Sequence, residues 1–189
     1  MSDADVTQWA LAARHGDRGA LERFIQGTQR DVWRFVAHLA DARLADDLAQ
    51  ETYLRALGSL KRFEGRSSAR TWLLSIARRV VVDHIRAAQA RPKRADLQDW
   101  QAAAERAQPT GSPGFDEGVA LEALIGALGA ERREAFVLTQ AIGLSYADAA
   151  EVCGCPVGTI RSRVARARDD LITSLRDNEG TSPGARATI

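Results

Sequence analysis

The chain has 189 residues, of which 45% are hydrophobic and 27% charged, and its formal net charge is +1. This size allows one medium domain or two small ones, and the composition is typical of soluble globular proteins. No apolar run approaches the roughly 20 residues that span a bilayer, and the acidic, amphipathic N-terminus is unlike a signal peptide. We therefore expect a cytoplasmic protein without membrane insertion.

The small net charge conceals alternating blocks of charge. Residues 61–94 carry 10 basic and 2 acidic side chains, residues 95–151 carry 3 and 10, and residues 152–176 carry 5 and 2. Two basic blocks separated by a long acidic block indicate two contacts with a polyanion such as a nucleic acid.

Apolar residues at helical spacing predict four helices in a first domain, residues 1–90. The first is short and ends before Gly16. The second covers about residues 20–40 and the third about residues 44–57. The fourth, residues 70–89, has a strongly apolar face with arginines beside it.

The third predicted helix has an apolar side and an acidic side. Its leucines, including Leu54 and Leu57, are available for the core. Its outer face carries Asp46, Asp47, Gln50 and Glu51. Acidic residues in a first turn stabilise a helix through its macrodipole, and the same cluster would suit a basic partner surface.

The stretch GSLKRFEGRSS, residues 58–68, is predicted to be a loop. Basic residues flank Phe63, and two serines follow. This combination could hold a single-stranded base by stacking and phosphate contacts. A plain basic surface loop agrees equally well with the composition.

The helical pattern stops at residues 91–118, where three prolines and three glycines predict a flexible linker. One helical turn is expected near residues 98–108. The predicted fold class is therefore all-α, with two small helical domains joined by this linker.

The second predicted domain covers residues 119–177. It begins with helices over about residues 119–128 and 131–142, and Gly143 ends the second of these. The tail, residues 178–189, is expected to be disordered.

Residues 144–171 predict a helix-turn-helix. Ser145 suits the N-cap of a helix that reaches Val152, Gly154 breaks that helix, and Pro156 fits the first turn of the next. Opposite a narrow apolar stripe, the second helix carries Thr159, Arg161, Ser162, Ala165 and Arg166. Small residues allow close approach to a DNA major groove, where arginines reach phosphates or guanine edges. An ordinary amphipathic helix with a solvated basic face has the same pattern.

Cys153 and Cys155, the two cysteines, lie in the predicted turn. No second pair supplies further metal ligands, so we interpret them as small residues that fill a tight corner. The three histidines are scattered, without metal-ligand spacing or a paired nucleophile. We therefore assign no catalytic residue, no metal site and no cofactor.

Three collinear motifs resemble those of the ECF (extracytoplasmic function) sigma factors of the sigma-70 family. They are DDLAQETYLRAL at 46–57, RSSARTWLLSIARRVVVDHIR at 66–86 and GLSYADAAEVCGCPVGTIRSRVARAR at 143–168. The resemblance covers about residues 7–176, and the last two motifs are most similar to the actinobacterial sigma-C type.

The resemblance implies that the first domain binds the beta-prime clamp helices of core RNA polymerase and opens the promoter minus-ten element. The residues that match the clamp-binding motif are Asp46, Asp47, Leu48, Gln50 and Glu51. Those that match the loop capturing a flipped base are Lys61, Arg62, Phe63, Arg66, Ser67 and Ser68. Those that match the helix at the upstream edge of the element are Arg78, Arg79, Asp83 and Arg86. Many family members have asparagine in place of Arg79.

For the second domain, the resemblance implies contact with the polymerase beta flap and recognition of the minus-thirty-five element. The matching DNA-facing positions are Arg161, Ser162, Ala165 and Arg166, with Thr159 as a phosphate contact. Many family members are held inactive by an anti-sigma factor. The expected role is transcription initiation for a stress or envelope regulon, without enzymatic activity.

Two other classes of protein are alternatives to this interpretation. A stand-alone helix-turn-helix regulator needs neither the acidic face at residues 46–51 nor the basic loop at residues 61–68. An enzyme needs a convergent set of histidine, cysteine or carboxylate side chains, which the sequence does not suggest.

Overall fold

The computed structural model describes residues 2–90 and 115–180, with side chains for residues 2–90 and 121–176. The regular structure of these ranges is helical, which confirms the predicted all-α class. None of the helices described is both long enough and apolar enough to cross a membrane. The helices are α1 (Asp3–Ala13), α2 (Arg18–Leu39), α3 (Ala45–Leu60), α4 (Ala69–Ala90), α5 (Phe115–Ala127), α6 (Ala130–Phe136), α7 (Tyr146–Cys153) and α8 (Val157–Gly180).

Local hydrogen bonds explain where the first two helices begin. The Ser2 hydroxyl accepts from the Asp5 amide at 3.2 Å, and the Asp5 carboxylate accepts from the Ser2 amide at 3.0 Å. This capping box satisfies free N–H groups of α1. Gly16 then turns the chain with φ +98°, and the Asp17 carboxylate caps α2 by accepting from the Ala20 amide at 2.9 Å.

The first domain packs α1, α2, α3 and α4 around large apolar side chains such as Phe24, Phe35 and Leu73. The predicted core positions Leu54 and Leu57 are wrong, because they are 58% and 39% exposed. The buried stripe of α3 recurs every four residues, at Leu48, Thr52, Ala56 and Leu60. Residues between these positions therefore face away from the core.

The second domain differs from its predicted bounds at several places. Helix α5 already begins at Phe115, inside the predicted linker. The predicted helix at residues 131–142 is α6 followed by a π-helical turn, Val137–Ala141, and Gly143 ends it with φ +81°. Helix α8 continues to Gly180, three residues into the predicted disordered tail. The helical turn expected near residues 98–108 lies outside the described residues.

The two domains pack against each other through α4 of the first and α7 of the second, and their buried apolar residues form one cluster. Polar contacts flank this packing. The Arg70 guanidinium donates to the Ile142 carbonyl at 2.6 Å, and the Thr71 hydroxyl donates to the Asp148 carboxylate at 3.2 Å. A residue near the start of α4 thus reaches the first helix of the helix-turn-helix.

An ion pair between Arg78 and Glu134 joins α4 to α6. The Arg78 Nε lies 2.5 Å from Glu134 Oε1, and the two side chains are 32% and 8% exposed. Burial by itself would lower the pKa of Arg78, but the hydrogen bond and negative charge of Glu134 raise it overall. The Arg78 charge is therefore committed to the domain interface in this arrangement.

Candidate nucleic-acid and protein interfaces

The acidic surface of α3 is formed by Asp46, Asp47, Gln50 and Glu51. Asp46, Asp47 and Gln50 are exposed, and Glu51 is half-buried. The Trp33 indole N–H donates to the Asp46 carboxylate at 2.9 Å, and Arg55 donates to Glu51 at 2.8 Å. The fifth predicted contact, Leu48, is only 6% exposed and packs in the core beneath this surface, so its contact with a partner stays a prediction.

An apolar groove lies next to the acidic surface of α3. This cleft of about 480 Å³ lies between α2 and α3 and includes Ile25, Trp33 and Tyr53 in its walls. Trp33 is 43% exposed. In the sequence, the groove is indicated only by this tryptophan beside the apolar stripe of α2.

The loop at residues 61–68 joins α3 to α4, and its cations face solvent. Lys61, Arg62 and Arg66 are exposed, as the predicted contact with single-stranded DNA requires. Phe63, however, is 4% exposed, with its ring centroid 4.8 Å from that of Trp72. Most of the Phe63 surface is therefore committed to packing against Trp72, and its stacking on a base stays a prediction.

The two serines of the loop have different surroundings. Ser68 is the N-cap of α4, because its hydroxyl accepts from the Thr71 amide at 3.0 Å. Ser67 instead lines a cleft of about 290 Å³ whose walls include Arg62, Arg66 and Trp72. The cleft combines cations, a hydroxyl and aromatic side chains, which are groups that bind phosphates and bases, although Glu64 in the same lining is paired with Arg66.

The predicted DNA contacts on α4 are divided between exposed and occupied residues. Arg79 and Arg86 are exposed. Arg78 is paired with Glu134, and Asp83 accepts from Arg55 at 2.7 Å. Arg78 can contact DNA only if Glu134 moves away or shares the guanidinium. Asp83 can do so only if Arg55 moves away or shares the carboxylate.

The helix-turn-helix consists of α7 and α8, as predicted. The Ser145 hydroxyl caps α7 by accepting from the Asp148 amide at 3.1 Å, and Gly154 makes the turn with φ +64°. The stripe of α8 formed by Ile160, Val164 and Ala167 is at most 1% exposed. The opposite face is open to solvent, and its exposed members are Arg161, Ser162, Ala165 and Arg166.

A cleft of about 440 Å³ lies between the start of α6 and the open face of α8. Thr159, Ser162 and Arg166 line it, together with Arg163. The Arg163 guanidinium is held by Glu131 at 2.6 Å and is only 18% exposed. Arg166 is therefore better placed than Arg163 to reach a nucleic acid in front of α8.

The two cysteines pack into the corner between α7 and α8. Cys153 is buried and Cys155 is half-buried, with its sulfur 3.7 Å from the Arg163 guanidinium. Burial, and less strongly the nearby Glu134 charge, raise the pKa of the Cys153 thiol. Within the described residues, no three histidine, cysteine or carboxylate side chains are grouped so that they could hold a metal ion.

We expect iodoacetamide at pH 8 to modify one cysteine of the native protein rapidly. The raised pKa keeps the Cys153 thiol protonated at that pH, and the thiolate is the reactive form. Intact mass should show one adduct in buffer and two in denaturant, and Cys155→Ser should abolish the rapid native adduct. Rapid double modification of the native protein would contradict this expectation.

Two family models match the chain, one for each domain. "Sigma-70 region 2" matches residues 24–91 and "Sigma-70, region 4" matches residues 118–171. The acidic surface of α3 and the 61–68 loop lie in the first match, and the helix-turn-helix lies in the second.

Curated relatives and solved structures agree with these matches. The ECF RNA polymerase sigma factor SigC of Mycobacterium tuberculosis is 54% identical over 181 residues, which are 95% of this chain and 96% of that protein. The sigma factor RpoE of Bartonella quintana, solved with the anti-sigma factor NepR, superposes with a TM-score of 0.65 at 28% identity over 82% of this chain and 96% of that one. CnrH, solved with the cytosolic domain of CnrY, shares the fold, with a TM-score of 0.71 at 22% identity over 92% and 98% of the two chains. The chain therefore belongs to the ECF sigma factors of the sigma-70 family, as its three sequence motifs predicted.

Proposed function

We propose that this sigma factor docks on core RNA polymerase through α3 and reads two promoter elements, one with each domain. The observation that carries the proposal is that one chain presents an exposed acidic surface on α3 and an open, arginine-edged face on α8. The first suits a basic protein partner, and the second suits a DNA major groove. A regulator that binds duplex DNA alone would need only the second.

The polymerase contact is assigned to Asp46, Asp47, Gln50 and Glu51, facing the beta-prime clamp helices. The groove beside them adds apolar surface at Trp33, which an amphipathic helix with a basic edge would cover. Leu54 is 58% exposed on the same helix and extends this surface. We assign the contact with the beta flap to two exposed apolar side chains on α8, Ile172 and Leu175.

The minus-ten contact is assigned to the 61–68 loop and to α4. A base can be read in its entirety only after it leaves the stack, which costs a few kcal/mol of unstacking and unpairing. The cleft beside Ser67 is the proposed receptor for such a base, and Lys61, Arg62 and Arg66 hold the adjacent phosphates. Arg79 and Arg86 continue this basic surface along α4, and Arg78 and Asp83 join it when their present partners release them.

The minus-thirty-five contact is assigned to the open face of α8. Arg161, Ser162, Ala165 and Arg166 face the major groove, and Thr159 contacts a phosphate. The buried stripe on the other side of α8 holds this face at a constant orientation relative to α6 and α7.

The proposed action takes place in the cytoplasm and involves no catalysis by this chain. An anti-sigma factor is the proposed regulator, since the similar sigma factor RpoE of Bartonella quintana was solved in complex with the anti-sigma factor NepR. It would act by covering the acidic surface of α3 or the DNA-facing residues.

Transcription in vitro tests the proposal directly. Purified protein and core polymerase are mixed with genomic fragments, and the transcript start sites are mapped. Transcription from specific start sites should require both this protein and core polymerase. The DNA sequences upstream of these sites, once aligned, should share a minus-ten and a minus-thirty-five element. Tight, specific binding of this chain to the same duplexes without polymerase, together with unchanged transcription on its addition, would favour a stand-alone regulator instead.

Arg166→Ala should weaken binding to a promoter by about 1–3 kcal/mol if the guanidinium reads a base in the major groove. The loss should be confined to sequences that carry the preferred base at one minus-thirty-five position. Holoenzyme affinities for a promoter series substituted through that element measure it. Arg176→Ala, an exposed arginine near the end of α8, is the matched control. No change at any position would remove Arg166 from the interface.

A further inference from the structure

We propose that α1, together with its C-cap Arg14, positions the 61–68 loop for reading of the minus-ten element. Arg14 is the main positioning residue. The inference rests on the proposed function of this loop. The matched family region begins at residue 24, so α1 and Arg14 lie outside it. Their role follows from contacts at three points, two in the loop and one at the start of α4.

The first contact holds the start of the loop. Arg14 Nη1 donates a part-buried hydrogen bond of 2.6 Å to the Phe63 carbonyl, although 49 residues separate them in sequence. The Phe63 ring is fixed independently, because it is buried against Trp72. Backbone and side chain of one residue are thus both anchored, directly beside the exposed Arg62 and the cleft of Ser67.

The second contact supports the middle of the loop. Gly65 has φ +70°, a left-handed conformation that glycine adopts without steric cost. A Cβ atom on Gly65 would lie 3.5 Å from both methyl carbons of Leu11. The Leu11 side chain therefore packs against the backbone of the loop where it turns.

The third contact holds the first residue of α4, directly after the loop. The Ala69 amide donates to the Thr7 hydroxyl at 3.0 Å, and that hydroxyl donates to the Asp3 carbonyl at 2.8 Å. One face of α1 and its C-cap Arg14 therefore contact the loop at two points and the helix start that follows it at a third.

These contacts matter because the loop has no regular secondary structure of its own between α3 and α4. A site that binds a flipped base must hold its donors and acceptors in place before binding, since ordering them on binding reduces affinity. Arg14 restrains the loop through a carbonyl rather than by meeting DNA. Its loss should therefore reduce discrimination between bases, whereas loss of a phosphate contact would weaken all sequences alike.

The experiment uses holoenzyme and fluorescent single-stranded oligonucleotides that carry the non-template minus-ten sequence of a mapped promoter. Each position is substituted in turn, and the ratio of the affinities for preferred and substituted bases is measured. Arg14→Ala should reduce the largest ratio about tenfold, the size expected for one charge-assisted hydrogen bond. Arg14→Lys, which keeps a donor, should retain most of the ratio. Thr7→Val, which loses the acceptor for Ala69, should reduce it several-fold.

Arg18→Ala is the matched control, because it removes an exposed arginine four residues from Arg14 and should leave the ratio unchanged. Thermal unfolding and core polymerase affinity are recorded for every variant. Wild-type ratios in both Arg14→Ala and Thr7→Val would overturn the inference, and so would an equal loss of affinity for all oligonucleotides.

The double variant Arg66→Ala, Ser67→Ala separates the two proposals. If it also keeps the ratio, the loop is not the reader; if it alone loses the ratio, only the positioning role of α1 fails.

Discussion

Reversing Asp47 and Glu51 to lysine should lower the affinity for core RNA polymerase by about 100-fold or more, since like charges facing each other across an interface cost several kcal/mol. Both side chains lie on the outer surface of α3, away from its buried stripe. The fold should therefore survive. The expected penalties are the lost macrodipole interaction of Asp47, the lost Glu51–Arg55 ion pair and a like-charge pair with Arg55, each worth a few tenths of a kcal/mol.

Pull-down and fluorescence anisotropy with core polymerase measure this effect. The double variant Glu22→Lys, Glu151→Lys is the control, because it makes the same change of charge at exposed positions away from α3 and from the apolar end of α8. Circular dichroism and thermal unfolding should show a folded protein for both variants. Normal binding of core polymerase by the α3 variant would remove the assignment of this surface.

Replacing Glu134 by glutamine should weaken the contact between the two domains by about 2 kcal/mol. Breaking a fully buried ion pair costs about 3–5 kcal/mol, and this value is lowered here because Arg78 can recover part of its hydration. Its side chain is 32% exposed, whereas that of Glu134 is 8% exposed. A double-mutant cycle with Arg78→Gln, followed by urea unfolding, should give a coupling energy of about 1–3 kcal/mol.

Small-angle X-ray scattering should also show a larger radius of gyration for Glu134→Gln, because the domains separate more often. Glu131→Gln is the matched control. It also removes a negative charge from α6, but the partner of Glu131 is Arg163 in the same domain. In holoenzyme, where Arg78 is proposed to contact DNA, Glu134→Gln should leave transcription intact while Arg78→Gln reduces it. A coupling energy near zero would show that the ion pair contributes nothing to the domain contact.

Patterns with a short period were sufficient to predict the helices and the open face of α8. Ile160 and Val164 recur at helical spacing, so the side opposite them had to face solvent whatever the rest of the chain does. The same reasoning placed Leu54 wrongly. Its helix is buried along one four-residue stripe only, and the width of a buried stripe depends on how many neighbours pack against the helix.

Contacts between residues distant in sequence were not predictable in this way. Phe63 was one candidate for stacking on a base, but its ring is buried against Trp72. The Arg14 contact with the Phe63 carbonyl leaves no local pattern, and the groove beside Trp33 leaves only a tryptophan next to an apolar stripe. Both depend on how segments distant in sequence pack against each other.

The amino-acid sequence by itself determined the all-helical class, the helix-turn-helix, the acidic surface of α3 and, through three motifs, membership of the ECF sigma factors. These properties depend on residues within one or two helical turns of each other, where spacing directly sets geometry. Only the tertiary structure decided which of the predicted contact residues are open. Arg79 faces solvent whereas its neighbour Arg78 is held by Glu134, because the second domain packs over one side of α4 and not over the other.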